Sequence, residues 1–114
     1  MNQTRKAVIA TALIALAGFT SVSAYAAERA YLAYDDYECK SDHMVFETSS
    51  GYVLAEWYGG GLHSGNFFHA DFHSYGFKDV YESQQEAEAE ENSRGRIWID
   101  DYMVSDTAAM EWCK

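Results

Sequence analysis

The sequence predicts an all-β domain: a small, barrel-like antiparallel sheet of five or six strands with a short C-terminal helix. Three observations carry this. Runs of alternating apolar and polar residues, rich in aromatic and β-branched types, recur along residues 27–114. Clusters of Gly, Asn, Asp and Ser separate them, and the chain contains no proline. No helix-length segment alternates with the strands as βαβ units require. Closing the sheet into a barrel would remove the exposed edges that invite aggregation.

Taken in order, Tyr31-Leu-Ala-Tyr34 is a first strand or an extended lead-in, ending in the acidic Asp35-Asp36-Tyr37-Glu38. His43–Glu47 reads as a strand and Thr48-Ser-Ser-Gly51 as a turn. Tyr52–Tyr58 alternates, with Val53, Ala55 and Trp57 on one side and Tyr52, Leu54, Glu56 and Tyr58 on the other. Gly59-Gly-Gly61 ends it. Asn66–His73 is a strand candidate placing Phe68, Ala70 and Phe72 on one face, although the Phe68–Phe72 spacing also suits a helix. Phe77–Tyr81 is a further strand. Glu82–Ser93 is glutamate-rich with nothing apolar beyond Ala87 and Ala89, which predicts a solvated loop or frayed helical turn that need not pack. Arg96–Val104 is the clearest strand, with Ile97 and Ile99 facing one way and Trp98 and Asp100 the other. It forms a hairpin with Phe77–Tyr81. Ser105-Asp106 then offers an N-cap for a helix over Thr107–Cys113, and Asp106 favours the positive end of its dipole.

The first 26 residues read as an address. Arg5 and Lys6 precede an uncharged run from Ala7 to Phe19, and small residues close it in Ala24-Tyr-Ala26. That is the pattern of a secretory signal peptide cleaved after Ala26, with Val22-Ser-Ala24 offering Tyr25 as the other start. The run is shorter than the ~20 apolar residues that span a bilayer, so no membrane span is expected after cleavage. A single domain over 27–114 remains, in a bacterial periplasmic or secreted setting. It holds six basic and all eighteen acidic residues, a formal charge of −12. Such a charge keeps a small exported protein soluble, and it excludes nucleic acid, whose phosphates must be neutralised by Lys and Arg. A cationic partner stays open. Cys39 and Cys113 are the only cysteines. In an exported small domain they predict one disulfide that closes a loop over nearly the whole fold.

Two constellations are candidate sites. His63, His69, Asp71 and His73 lie close together in sequence, and imidazole with carboxylate suits zinc or copper. On a strand, His69 and His73 stand ~13 Å apart, a span that two rings on one metal do not easily bridge, whereas a neighbouring His–Asp pair can; on a helix they would sit one turn apart and could chelate. The second is an aromatic set, Tyr52, Tyr58, Phe67, Tyr75 and Trp98, on the face opposite the Val/Ile/Phe core. Exposed rings on a rigid sheet form a platform for a sugar, a peptide or a protein. Asp35, Asp36, Glu38, Asp71, Asp100 and Asp101 allow acid/base pairs, but a chain this acidic produces these by chance. Ser49, Ser50, Ser64 and Ser74 near histidines allow a nucleophile without the nucleophile-elbow pattern. No catalysis and no cofactor are expected. The expected function is a binding or interaction module for a protein or small-molecule ligand. The alternatives are a metal-binding periplasmic protein and a small hydrolase inhibitor.

The block Gly76-Phe-Lys-Asp-Val-Tyr81, followed by Arg96-Ile-Trp-Ile-Asp-Asp-Tyr102 and a helix ending in Trp112-Cys113, resembles an uncharacterised group of small exported bacterial proteins with a cysteine near each end. That resemblance implies a bacterial, exported setting and no particular activity. Tyr37-Glu-Cys39 with Cys113 is similar in outline to small periplasmic inhibitor barrels.

Overall fold

The computed structural model of the protein describes residues 27–114, so the expected signal peptide lies outside the described residues. Eight elements follow in order: β1 (Glu28–Tyr34), β2 (His43–Thr48), β3 (Gly51–Gly60), β4 (Phe67–Ala70), β5 (Gly76–Val80), α1 (Gln84–Ala89), β6 (Gly95–Val104) and α2 (Asp106–Trp112). The strands form one sheet in the order β4-β1-β2-β3-β6-β5, antiparallel throughout. The sheet curls into a half-barrel. One bridge, His69 to Tyr81, brings its two ends together with N–H···O distances of 2.7 and 2.9 Å. The curl has a local source: register shifts on β3 and β6 between Tyr52 and Leu54 and between Trp57 and Gly59 are bulges that bend and twist the two longest strands.

The concave face holds the main core. Leu32, Phe46, Val53, Ala55, Phe68, Ala70, Phe72, Val80, Ile97 and Ile99 are all buried there, each contributed by period-two alternation. Phe46 anchors it, with ring centroids 5.0 Å from Phe72 and 6.4 Å from Phe68. The segment Asn66–His73 is thus extended rather than helical, although its ladder stops at Ala70. β1 starts at Glu28, three residues before the expected Tyr31, because Glu28 and Arg29 pair with Ala70 and His69. Gly60 and Gly95 let β3 and β6 meet closely at one end. A Cβ on Gly60 (φ 88°) would fall 2.1 Å from the Arg94 carbonyl oxygen, where no side chain fits.

The convex face is divided. α2, capped by Ser105 whose Oγ accepts from the Ala108 N–H, packs through Ala109 on Val45 and Leu54. The Cys39–Cys113 disulfide fastens its end, and Trp112 adds a hydrogen bond to the Ala55 carbonyl and a ring contact 4.0 Å from His43. The predicted disulfide and all-β half-barrel with a C-terminal helix are therefore present. Among the described residues, no helix is long and apolar enough to cross a membrane.

One expectation is corrected. Of the solvated loop or frayed helical turn expected over Glu82–Ser93, residues 84–89 form the helix, and it packs: Ala87 is completely buried against β4. Ser83 caps it by accepting the Glu86 N–H at 3.1 Å.

Candidate functional site

α2 covers the convex face only over β2 and the first half of β3. Beyond its edge, alternation continues to aim side chains outward from β3, β6 and β5, and nothing packs on them. Tyr58, Phe77 and Trp98 form a row there. Phe77 stands between its neighbours, 4.9 Å from Tyr58 and 4.8 Å from Trp98, edge-to-face with both. That is the favourable aromatic geometry. The Phe77↔Trp98 pairing of β5 with β6 fixes the second contact. Arg96 lies over the Phe77 ring at 4.7 Å. Tyr58 is 55% and Phe77 46% exposed, so the row faces solvent.

Of the five aromatics expected on this face, only Tyr58 and Trp98 belong to the row. Tyr52 instead packs half-buried in the cluster beneath α2. Tyr75 pairs with Tyr102 at 5.0 Å and reaches the Asp101 carboxylate at 3.5 Å. Phe67 forms a separate patch with Tyr31 and Arg29. Phe77, which completes the row, lies inside the quoted Gly-Phe-Lys-Asp-Val-Tyr block. Its outward direction could have been read from Val80, buried three residues on.

Carboxylates flank the row. Glu56 lies opposite Trp98 across the β3–β6 ladder. Its carboxyl is pushed up to about 7 by sharing a proton with Asp100, and further by burial and by the charges of Asp100 and Asp42. Two ionised carboxylates offer each other no donor, so a protonated Glu56 is the group that can donate to Asp100, whose buried Oδ2 lacks a hydrogen-bond partner. Glu56 was absent from the sequence candidates because only the β3–β6 register brings it to Asp100. A raised carboxyl contributes stability below its unfolded value of 4.5 and loses it as pH rises through about 7. Glu56→Gln supplies the donor at every pH. Urea unfolding of the variant should show it more stable than wild type at pH 8 by about 1–2 kcal/mol after solvent screening, with no such gap at pH 4.5. Equal gaps at both pH values would remove the shared proton.

An open depression of about 280 Å³ adjoins Phe77, lined also by Asp71, Lys78, Asp79, Tyr81 and Glu90. Three acids against one base leave it acidic.

The expected metal ligands do not converge. Among the described residues no group of three or more His, Cys, Asp or Glu could hold a metal ion. His63 sits in the β3–β4 connection, and His69 stays in β4 with its Nδ1 buried and unpaired. Asp71 and His73 leave the ladder after Ala70. Burial raises the Asp71 carboxyl, but bonds from the Ser74 hydroxyl, the His73 N–H and the Lys78 ammonium outweigh it and hold the group below its usual range. His73 is held by Glu28 and Ser50. Asp35 is structural too. Burial raises it, but the N–H groups of Ser64, Tyr37 and Glu38 outweigh this and lower it, tying the β1–β2 turn to the β3–β4 connection. No protein-family model, curated protein or solved structure matches this chain.

Proposed function

We propose that this chain is an exported binding module that docks a basic protein surface on the convex face of β3, β6 and β5. The observation that carries the reading is the uncovered row Tyr58–Phe77–Trp98. Aromatic rings on a rigid sheet contribute large contact area at little entropic cost, and such residues dominate interface energetics. The acidic surroundings select the partner's chemistry. Glu56, Asp79 and Asp100 border the row, the depression beside Phe77 accepts a lysine or arginine side chain, and the charge of −12 over residues 27–114 steers cations inward. The disulfide suits an oxidising, exported setting. A basic exported hydrolase is one member of this partner class, which makes a small hydrolase inhibitor a special case of the same reading.

The test is a titration with a basic lysozyme and, as control, an acidic protein of equal size. Binding to the lysozyme should weaken as salt rises, and the acidic protein should not bind. Trp98→Ala should cost at least about 2 kcal/mol, roughly 30-fold in affinity, as a central interface aromatic does. Undiminished binding by the variant would place the contact elsewhere.

A further inference from the structure

At the rim of the half-barrel the ladder brings three residues of distant sequence together. Tyr31 pairs with Glu47 and Leu32 with Phe46. Continuing that register back along β1 sets Glu28 against Ser50, in the β2–β3 turn. The β4–β5 connection then lays His73 between them. The Ser50 hydroxyl is 2.7 Å from His73 Nε2, and Glu28 Oε1 is 2.5 Å from His73 Nδ1. Glu28 Oε1 stands beside Nδ1 off the line of the ring N–H, close to the imidazole but not in hydrogen-bond geometry with it.

We propose that Ser50 is a nucleophilic serine, activated by His73 and positioned through Glu28, that accepts acyl groups from small esters. A hydroxyl within hydrogen-bond reach of a base, itself oriented by a third group, is the arrangement that nucleophilic catalysis needs. The proposal requires the neutral imidazole with its proton on Nδ1, the side of Glu28, so that Nε2 accepts from the Ser50 hydroxyl, which also lies 3.3 Å from Thr48 Oγ1. The site is fixed from several sides. Thr48 Oγ1 accepts the Ser50 N–H at 3.2 Å, and Asp71 accepts the His73 N–H at 3.2 Å. Lys78 and Ser74 hold Asp71 in turn. The Tyr102 ring stands edge-on to the imidazole at 5.8 Å. The histidine side chain is 34% exposed, so an ester reaches it from solvent.

In the reaction the Ser50 oxygen attacks the ester carbonyl carbon and its proton passes to Nε2. Collapse of the tetrahedral adduct breaks the ester C–O bond, and the departing alkoxide takes that proton and leaves as alcohol. Water then attacks the acyl-serine, giving a proton to Nε2. Collapse releases the acid, and Ser50 recovers the proton. Glu28 holds the imidazole and exchanges no proton. This activity is separate from docking on the convex face and stands or falls independently of it.

The experiment is labelling of the intact, oxidised domain with a fluorophosphonate ester and with p-nitrophenyl acetate at pH 7.5, read by mass spectrometry. One adduct per chain, mapped to Ser50, is expected. Ser50→Ala should carry none, and Ser49→Ala, altering the adjacent turn serine, should label as wild type. His73→Ala should slow labelling at least about 100-fold, the size of a general-base contribution. Glu28→Gln should slow it less and shift its pH profile, which a purely structural glutamate would not do. Wild type labelling no faster than a free serine, or labelling unchanged in Ser50→Ala, overturns the proposal.

Discussion

Replacing Cys39 and Cys113 together by alanine should lower the unfolding free energy by about 4 kcal/mol, on the chain-entropy cost of opening so long a loop. The bridged cysteines are 74 residues apart in sequence and tie the β1–β2 turn to the end of α2. The same bond holds α2 over Val45 and Leu54, so its loss also exposes that second apolar cluster. A domain of this size has roughly 5–15 kcal/mol of stability in all, which makes the bridge a large share of it. Urea unfolding of the oxidised protein against the double variant measures the difference. Hydrogen exchange should show α2 opening first in the variant. A loss under about 1 kcal/mol would mean that packing alone seats the helix.

Phe46→Ala should cost about 3–5 kcal/mol, the range for emptying a large aromatic site in a packed core. Phe46 is fully buried on the concave face and touches Phe68 and Phe72, contributed by β4 and the residues just beyond it. Its removal uncouples β2 from the strand that closes one end of the sheet. Trp98→Ala, although it deletes more atoms, should cost less, because that ring lies on the convex face and keeps water on one side. Denaturant midpoints at constant slope give both numbers. A greater loss for Trp98 would mean that the two faces of β6 are inverted.

The faces themselves were legible from alternation. Val53 and Ala55 on β3, Ile97 and Ile99 on β6, and Phe68, Ala70 and Phe72 all point into the core that period two assigns them. The Ser105 cap was equally plain, since capping depends on the adjacent three residues. The packing of α1, whose helical turn was one of two readings, was missed because its only buried side chain is Ala87. The signal was Ser83-Gln-Gln-Glu86, a capping-box spacing. Tyr52 and Tyr58 look equivalent in sequence, yet α2 covers one and leaves the other bare. Only the disulfide and the course of the chain after Val104 decide that. Glu56 with Asp100, and Ser50 with His73 and Glu28, depend on strand register and bulges between segments far apart in the chain. Local pattern carries no record of either.

The proposed docking surface is the convex face of β3, β6 and β5. Its most direct measurement is chemical-shift mapping on isotope-labelled protein during titration with the basic lysozyme. Shifts should concentrate on the amides and side chains of Tyr58, Phe77, Trp98 and Arg96, and on Asp79 beside the acidic depression. Residues on the far side, such as Tyr37 in the β1–β2 turn and Phe67 on β4, should stay still. Shifts centred on those residues, with the Tyr58–Phe77–Trp98 row unmoved, would contradict it.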